Sequence, residues 1–326
     1  MKRFDSQVLG FNCQAAIETI SLRLREYLRS PLNRRGLVVA ISGGIDSSVC
    51  AALAVQAIGA ARVFGLMLPE DESSPSSLEG GKLLAEHLGI SYQVMNITPI
   101  LTACGAYQDR DDAIRTLFPS FGPGWKSKIA ITGGMEGRYN VFDLVVASPT
   151  GECMRERLGP KEYLRIVAAT NFKQRVRKML EYSHADRLHY AVVGTPNRLE
   201  YDQGFFVKNG DGAADVKPIA HLYKSQVYML ARYLKLPEAI CNAIPTTDTY
   251  SLAQGQDEFY FALPYEQMDR ALWALNNGIT AEELSENLKI PEQQAQRIYE
   301  DIRRKRSATR YLHAKPLLAE PVDFEV

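Results

Sequence analysis

The chain is poor in cysteine and tryptophan, carries no net charge and lacks long apolar runs. Its 326 residues include five cysteines, Cys13, Cys50, Cys104, Cys153 and Cys241, and 2 tryptophans. The cysteines are scattered without any short pairing, which argues against a zinc ribbon and a dithiol redox centre; isolated cysteines are most often small buried residues. Lysine plus arginine and aspartate plus glutamate each number 38, so no global positive footprint suits the chain to nucleic acid or an anionic membrane. No apolar run approaches the roughly 20 residues of a bilayer-spanning helix. The opening Met1-Lys2-Arg3-Phe4-Asp5 soon meets polar residues and has no signal-peptide centre. A cytoplasmic setting is the expectation.

What is present centres on Ser42-Gly43-Gly44-Ile45-Asp46-Ser47-Ser48. An apolar run, Leu37 to Ile41, precedes it, and Val49-Cys50-Ala51-Ala52-Leu53 follows. That context predicts strand, tight glycine turn and helix. Small residues let backbone approach a polyanion, and hydroxyls with the free N–H groups of a helix start can hold phosphate oxygens, aided by the helix dipole. The spacing is neither that of a Walker loop nor that of the dinucleotide fingerprint. It resembles the SGGxDS loop of N-type ATP pyrophosphatases, which split ATP into AMP and pyrophosphate while adenylating an acceptor. The bland alternative is an ordinary glycine-rich strand–helix turn.

Around this turn the pattern alternates. Ala16, Ile17, Ile20, Leu24 and Leu28 mark an amphipathic helix over residues 12–29. Arg62 to Leu68 reads as a second strand, Leu78 to Leu88 as a helix and Tyr92 to Asn96 as a third strand; His189 to Val193 is a further one. Short strand–helix alternation predicts an α/β fold, a doubly wound parallel sheet with helices on both faces. Ligands in such sheets bind at the carboxyl ends of strands. Residues 104–165 break the alternation and read as an insertion or lid within a single domain spanning 1–326, with Val141 to Val146 as one more strand. Helices are expected over Asn171 to Tyr182, Lys224 to Leu234, Tyr265 to Leu275, Ala281 to Leu288 and Pro291 to Arg306, giving a helical C-terminal part.

Six blocks in order resemble the ammonia-dependent NAD synthetase family: Ser42 to Ser48, the Leu68-Pro69 loop, Arg175-Val176-Arg177, Gly194 to Glu200, Lys208 to Asp215 and Pro245-Thr246-Thr247-Asp248. The resemblance implies an adenine nucleotide alpha hydrolase-like fold and a reaction in which ATP adenylates the carboxylate of nicotinic acid adenine dinucleotide (deamido-NAD), after which ammonia displaces AMP. It implies that Ser42, Gly43, Gly44, Ile45, Asp46, Ser47, Ser48, Thr195, Lys224 and Thr246 bind ATP. Asp46 and Glu200 would hold Mg2+, and Arg175, Lys208 and Asp215 would hold deamido-NAD. On the same resemblance Asp46, Lys224 and Asp211 would carry the chemistry, with Asp211 expected to place ammonia or accept its proton. Family members are homodimers. The residues before Ser42 leave no room for a glutaminase domain, so free ammonia or a separate glutaminase partner is expected.

Each assignment has a plainer counterpart. Asp46 could cap its helix, and Glu200 could be a solvated loop charge. Arg175 and Arg177, two apart, do not share a helix face. His184, His189 and His221 have no ligand-like arrangement. The family's C-terminal His-Lys contact has Arg304-Lys305-Arg306 as its nearest equivalent. Three rival functions compete: an ATP-dependent amidase of the same fold with a different carboxylate acceptor, a tRNA thiolase, for which no cysteine pair is evident, and a degenerate ATP-binding scaffold. Residues 279–306 also resemble a helix-turn-helix, but Glu282, Glu283, Glu286 and Glu292 oppose phosphate approach.

Overall fold

The apolar run Leu37–Ala40 forms β1, a central strand buried between helical layers. In this computed structural model, residues 4–5, 7–132, 141–243, 250–252 and 263–322 are described. β2 (Val63–Met67) and β7 (Ala191–Val193) flank β1, and β3 (Ser91–Val94) lies outside β2, all parallel in the order β3-β2-β1-β7. The period-two alternation of β1 feeds two cores. Leu37 and Val39 pack with α1 (Cys13–Arg29), α2 (Ile45–Ile58) and α8 (Lys224–Tyr233), and α3 (Pro75–Leu88) joins them through Leu84. Val38 joins Leu66 and Val192 against α4 (Thr98–Ala103) and α6 (Pro160–Leu188). This is the doubly wound arrangement expected from the strand–helix alternation. The chain winds outward from β1 to β3 and returns to β7 on the other side, so the crevice at the carboxyl ends of β1 and β7 is the topological switch point.

The structure departs from the sequence reading in three places. Helix α6 runs for 29 residues, far beyond Asn171 to Tyr182. Its buried positions include Lys173, Lys178 and Glu181, so inward-facing charges blur the apolar stripe on which a periodicity reading depends. Strand β7 is only three residues long because His189, at φ 58°, forms the left-handed end of α6. The run from Val141 does form a strand, β5 (Val141–Ala147), but in a second sheet. There it pairs antiparallel with β4 (Lys126–Thr132) and β6 (Cys153–Arg157). Ile129, Leu144 and Val146 of this sheet pack on Ile114 of α5 (Ala106–Arg115) and Ile166 of α6. Tyr250 enters the same core, while the backbone N–H of Leu252 bonds to Ser127 O at 3.2 Å.

The C-terminal part follows the short α9 (Glu238–Cys241). There α10 (Tyr265–Asn276), α11 (Ala281–Leu288) and α12 (Glu292–Thr309) bury Leu272, Leu284, Ala295, Ile298 and Ile302 around Leu199 of α7 (Arg198–Gln203). The apolar faces of the helix-turn-helix-like pair are thus spent on packing beside the sheet end.

Candidate active site

The turn after β1 is built by its serines and glycines. Gly43 has φ +78°, and a side chain there would meet Ser77 O at 2.3 Å, so both conformation and space require glycine. Gly44 caps α2. Ser47 Oγ donates to Gly44 O at 3.1 Å and lies 3.1 Å from Ser42 Oγ, while Ser48 Oγ donates to Gly44 O at 2.8 Å. The hydroxyls thereby fix the turn in a shape that leaves the first N–H groups of α2 directed beyond the helix, the usual seat of a phosphate.

Asp46 lies in the first turn of α2 rather than at its cap. One carboxylate oxygen accepts from Asn197 Nδ2 at 3.2 Å, and the other pairs with the ammonium of Lys224. Lys224 opens α8 and is almost fully buried. A lysine there opposes the helix dipole, and its charge is held instead by Asp46 and by the ring of Tyr265, whose centroid lies 5.4 Å away. Burial alone would lower the Lys224 ammonium; Asp46 and Glu200 raise it above its ordinary value. Asn197 and Glu200 form a capping box for α7: Asn197 Oδ1 accepts from the backbone of Leu199 and Glu200, and Glu200 Oε2 accepts from Asn197 N at 3.1 Å. Glu200 is therefore a buried residue of the crevice, not a solvated loop charge. Burial, then the Asp46 charge, pushes its carboxyl up to about 8, with Lys224 only partly opposing. Two carboxylates that repel one another are hard oxygen donors of the kind that could hold a divalent cation. Among the described residues no group of three or more histidine, cysteine or acidic side chains is placed to hold a metal ion.

The remaining site residues lie further out. Thr195 follows β7 at the crevice, half-buried, and Thr246 lies outside the described residues. Asp211 accepts from Val207 N at 2.7 Å; burial raises its carboxyl, and it is close enough to raise Glu200 in turn. Arg175 Nε donates to Lys208 O at 3.2 Å, bringing those two together. Arg177 points elsewhere, donating to Leu68 O at 3.2 Å. Asp215 stands apart from them, its oxygens taken by Val192 N at 2.7 Å and the Tyr182 hydroxyl at 3.3 Å.

Four residues of this region escaped the sequence reading. Asn197 joins the two carboxylates, and the signal was its place three residues before a glutamate. Asp269, buried on α10, accepts from Lys224 N and Ser225 N at 3.2 and 2.7 Å and fixes the start of α8. Lys217 lies over the rings of Tyr201 and Phe206. His313, in the turn after α12, sets its ring edge-on to the same two aromatics, while Lys208 Nζ donates to Tyr311 O and Ala314 O beside it. The C-terminal segment thus meets Lys208 through the carbonyls of Tyr311 and Ala314. Arg304, Lys305 and Arg306 pair instead with Glu300, Asp301 and Asp202.

A family model described as NAD synthase matches residues 16–117 and 138–310, nearly everything from α1 to α12 except a stretch that includes β4. The chain is 56% identical over 321 residues to the NH(3)-dependent NAD(+) synthetase of Rhizobium meliloti (strain 1021), covering 98% of this chain and 96% of that one. It is 39% identical over 268 residues to the protein of the same name from Thermotoga neapolitana, covering 81% and 84%. Among solved structures, the NMN synthetase of Francisella tularensis aligns with a TM-score of 0.64 at 23% identity, over 94% of this chain and 98% of that one, a likeness of fold. With the SGGxDS turn, its crevice and these matches in agreement, the chain belongs to the NAD synthase family.

Proposed function

We propose that the protein makes NAD by amidating deamido-NAD with ammonia at the expense of ATP, releasing AMP and pyrophosphate. The observation that carries this reading is the meeting of Asp46, Lys224, Asn197 and Glu200 at the first turn of α2, directly after the Ser42–Ser48 turn. The acceptor carboxylate attacks the α-phosphorus, and the bond to pyrophosphate breaks. Ammonia then attacks the adenylated carbonyl, the carbon–oxygen bond to AMP breaks, and one proton is lost.

The chain's own groups suit these steps. The N–H groups opening α2 receive the departing pyrophosphate, and Lys224 offsets the charge that grows there. Asp46 and Glu200 are the residues that would hold Mg2+, and the ion would supply positive charge to stabilise the leaving group. Asp211, raised by burial, is suited to accept the proton that ammonia loses. Thr195 and Thr246 are assigned to ATP, and Arg175, Lys208 and Asp215 to deamido-NAD. The antiparallel sheet within residues 104–165 supports reading that stretch as a lid-like insertion in one synthetase domain. A homodimer in the cytoplasm, using free ammonia or a separate glutaminase, belongs to the same proposal; no described helix is long and apolar enough to cross a membrane.

The test is AMP formation from ATP and magnesium with deamido-NAD and ammonium supplied or withheld. AMP and NAD appearing one for one, only in the complete mixture, is the expected result. AMP with another carboxylic acid but none with deamido-NAD would keep the ATP-cleaving core and discard this acceptor.

A further inference from the structure

Lys217 is a partly buried cation that makes no ion pair among the described residues. Its ammonium donates to Gly212 O at 2.6 Å and lies 4.9 Å from the ring centroid of Tyr201 and 5.6 Å from that of Phe206. The two rings stack with centroids 6.1 Å apart, and His313 closes the group edge-on at 4.9 and 5.1 Å. Among the described residues Lys217 makes no ion pair, unlike the other half-buried or buried lysines of this region, Lys173, Lys178 and Lys224. Burial and the charge of Lys178 lower it, and only Asp211 opposes them. An ammonium has three donors, of which the backbone takes one.

The position of Lys217 relates it to the crevice. Its stem crosses Gly194, whose absent Cβ would lie 3.1 Å from Lys217 Cγ and 3.4 Å from its Cε. Gly194 follows β7 and precedes Thr195, and Tyr201 follows Glu200 on α7. The ammonium therefore stands beside the strand end, on the side held by Tyr201 of α7, and Asp211, whose charge acts on Lys217 and on Glu200 alike, links it to the crevice. A charge kept partly dry, with donors to spare and no ion pair among the described residues, is suited to an anionic ligand.

We propose that Lys217 reads the carboxylate of the acceptor, so that the acid is preferred over the amide it becomes. The inference rests on the amidation reading above and extends it to how substrate is told from product. Bringing a carboxylate up to the phosphates of ATP sets anion against anion, and a cation on the carboxylate offsets that repulsion. Once the acid is an amide, the attraction is gone and the product is released.

Lys217→Met keeps much of the stem over the rings and removes the charge. Lys217→Gln keeps a donor for Gly212 O and serves if the methionine variant folds poorly. For each variant, KM for deamido-NAD and for ATP is measured, together with the affinities of deamido-NAD and NAD by calorimetry. The expected result is a rise in KM for deamido-NAD of about tenfold or more, the loss of one charge-assisted contact. The KM for ATP and the affinity for NAD stay as in the unaltered protein, so the acid-to-amide preference collapses. A preference unchanged in both variants overturns the role of Lys217 alone. An unaltered protein that forms no NAD in the complete mixture overturns the reaction itself, and with it the basis for this inference.

Discussion

Two clusters of buried charge lie at the carboxyl ends of the same parallel sheet and titrate in opposite directions. After β2, Glu70 accepts from Lys173 Nζ at 3.0 Å and from the Tyr107 hydroxyl at 2.6 Å. Glu72 takes Lys173 at 2.5 Å and also pairs with Arg110, which bonds in turn to Asp111. Burial would raise Glu70, but Lys173 and Tyr107 together bring it below the usual carboxylate value. After β1 and β7, Asp46 and Glu200 share one lysine, and Glu200 is raised. The first cluster gives each of its carboxylates a cation at hydrogen-bond distance and ties the loop after β2 to α5 and α6. In the second, Glu200 bonds to the backbone N–H of Asn197 instead, and a bound divalent cation would supply the positive charge. Burial is common to both, so it is the pairing of each carboxylate that separates a structural staple from a socket.

The largest effect expected from that contrast is in the cluster after β2. Lys173→Met leaves Glu70, whose side chain is fully inaccessible, without its ammonium. Removing one partner of a buried pair costs about 3–5 kcal/mol, measured by urea unfolding, while turnover per folded molecule is retained. A loss of activity with unchanged stability would erase the distinction between the clusters. In the second cluster the outcome inverts. Asp46→Asn preserves shape and the contact with Asn197 but removes the charge that holds Lys224. AMP formation should fall about 10²–10³-fold, the scale of one lost stabilising group at a developing charge, and the melting temperature should drop less than in Lys173→Met, because Glu200 remains as a counter-charge for Lys224.

These clusters were unequally legible in the sequence. The Ser42–Ser48 turn could be read because its shape is local: each hydroxyl bonds within five residues of its own position. The parallel sheet was legible for a similar reason, since strands covered on both faces are continuous apolar runs. Lys173 was not legible, because a lysine within a helix ordinarily faces water and its partners stand about 100 positions away. Asp269 reaches Lys224 across 45 residues and Lys217 meets His313 only through two shared rings, so neither leaves a motif. The inserted sheet was half visible: β5 alternates enough to show as a strand, but its antiparallel partners and the entry of Tyr250 into its core are long-range facts.

A smaller effect sharpens the contrast through its sign. Glu200 in the folded chain titrates near 8, above its ordinary value of 4.5. Between those values the folded state holds a proton that the unfolded state has lost, so stability falls as pH rises through that window. Without divalent ions, Glu200→Gln should flatten this fall, being on the order of 2 kcal/mol more stable than the parent near pH 8 and equal to it near pH 5. That is below the linkage ceiling of about 1.4 kcal/mol per pH unit, since structural relaxation absorbs part of the strain. Magnesium should raise the melting temperature of the parent at pH 8 and leave the glutamine variant unmoved. A parent whose stability rises with pH across this range would show that the carboxylate pair is not short of charge.

The smallest effect is expected where one partner of an ion pair is half-exposed, on the second sheet. Arg155 on β6 pairs with Asp143 on β5 at 2.6 Å, with about half of the arginine side chain exposed. Water screens such a pair, and holding the long side chain in one geometry costs entropy, so Arg155→Met should change stability by no more than about 1 kcal/mol. Neither KM nor the rate of AMP formation should move, because the sheet is held by Ile129, Leu144 and Val146 rather than by its rim charges. Urea unfolding and steady-state kinetics on the same preparation decide it. A change in the acceptor KM without a change in stability would mean that the inserted sheet contributes charge to the site, and the line drawn between socket and staple would have to be extended across both sheets.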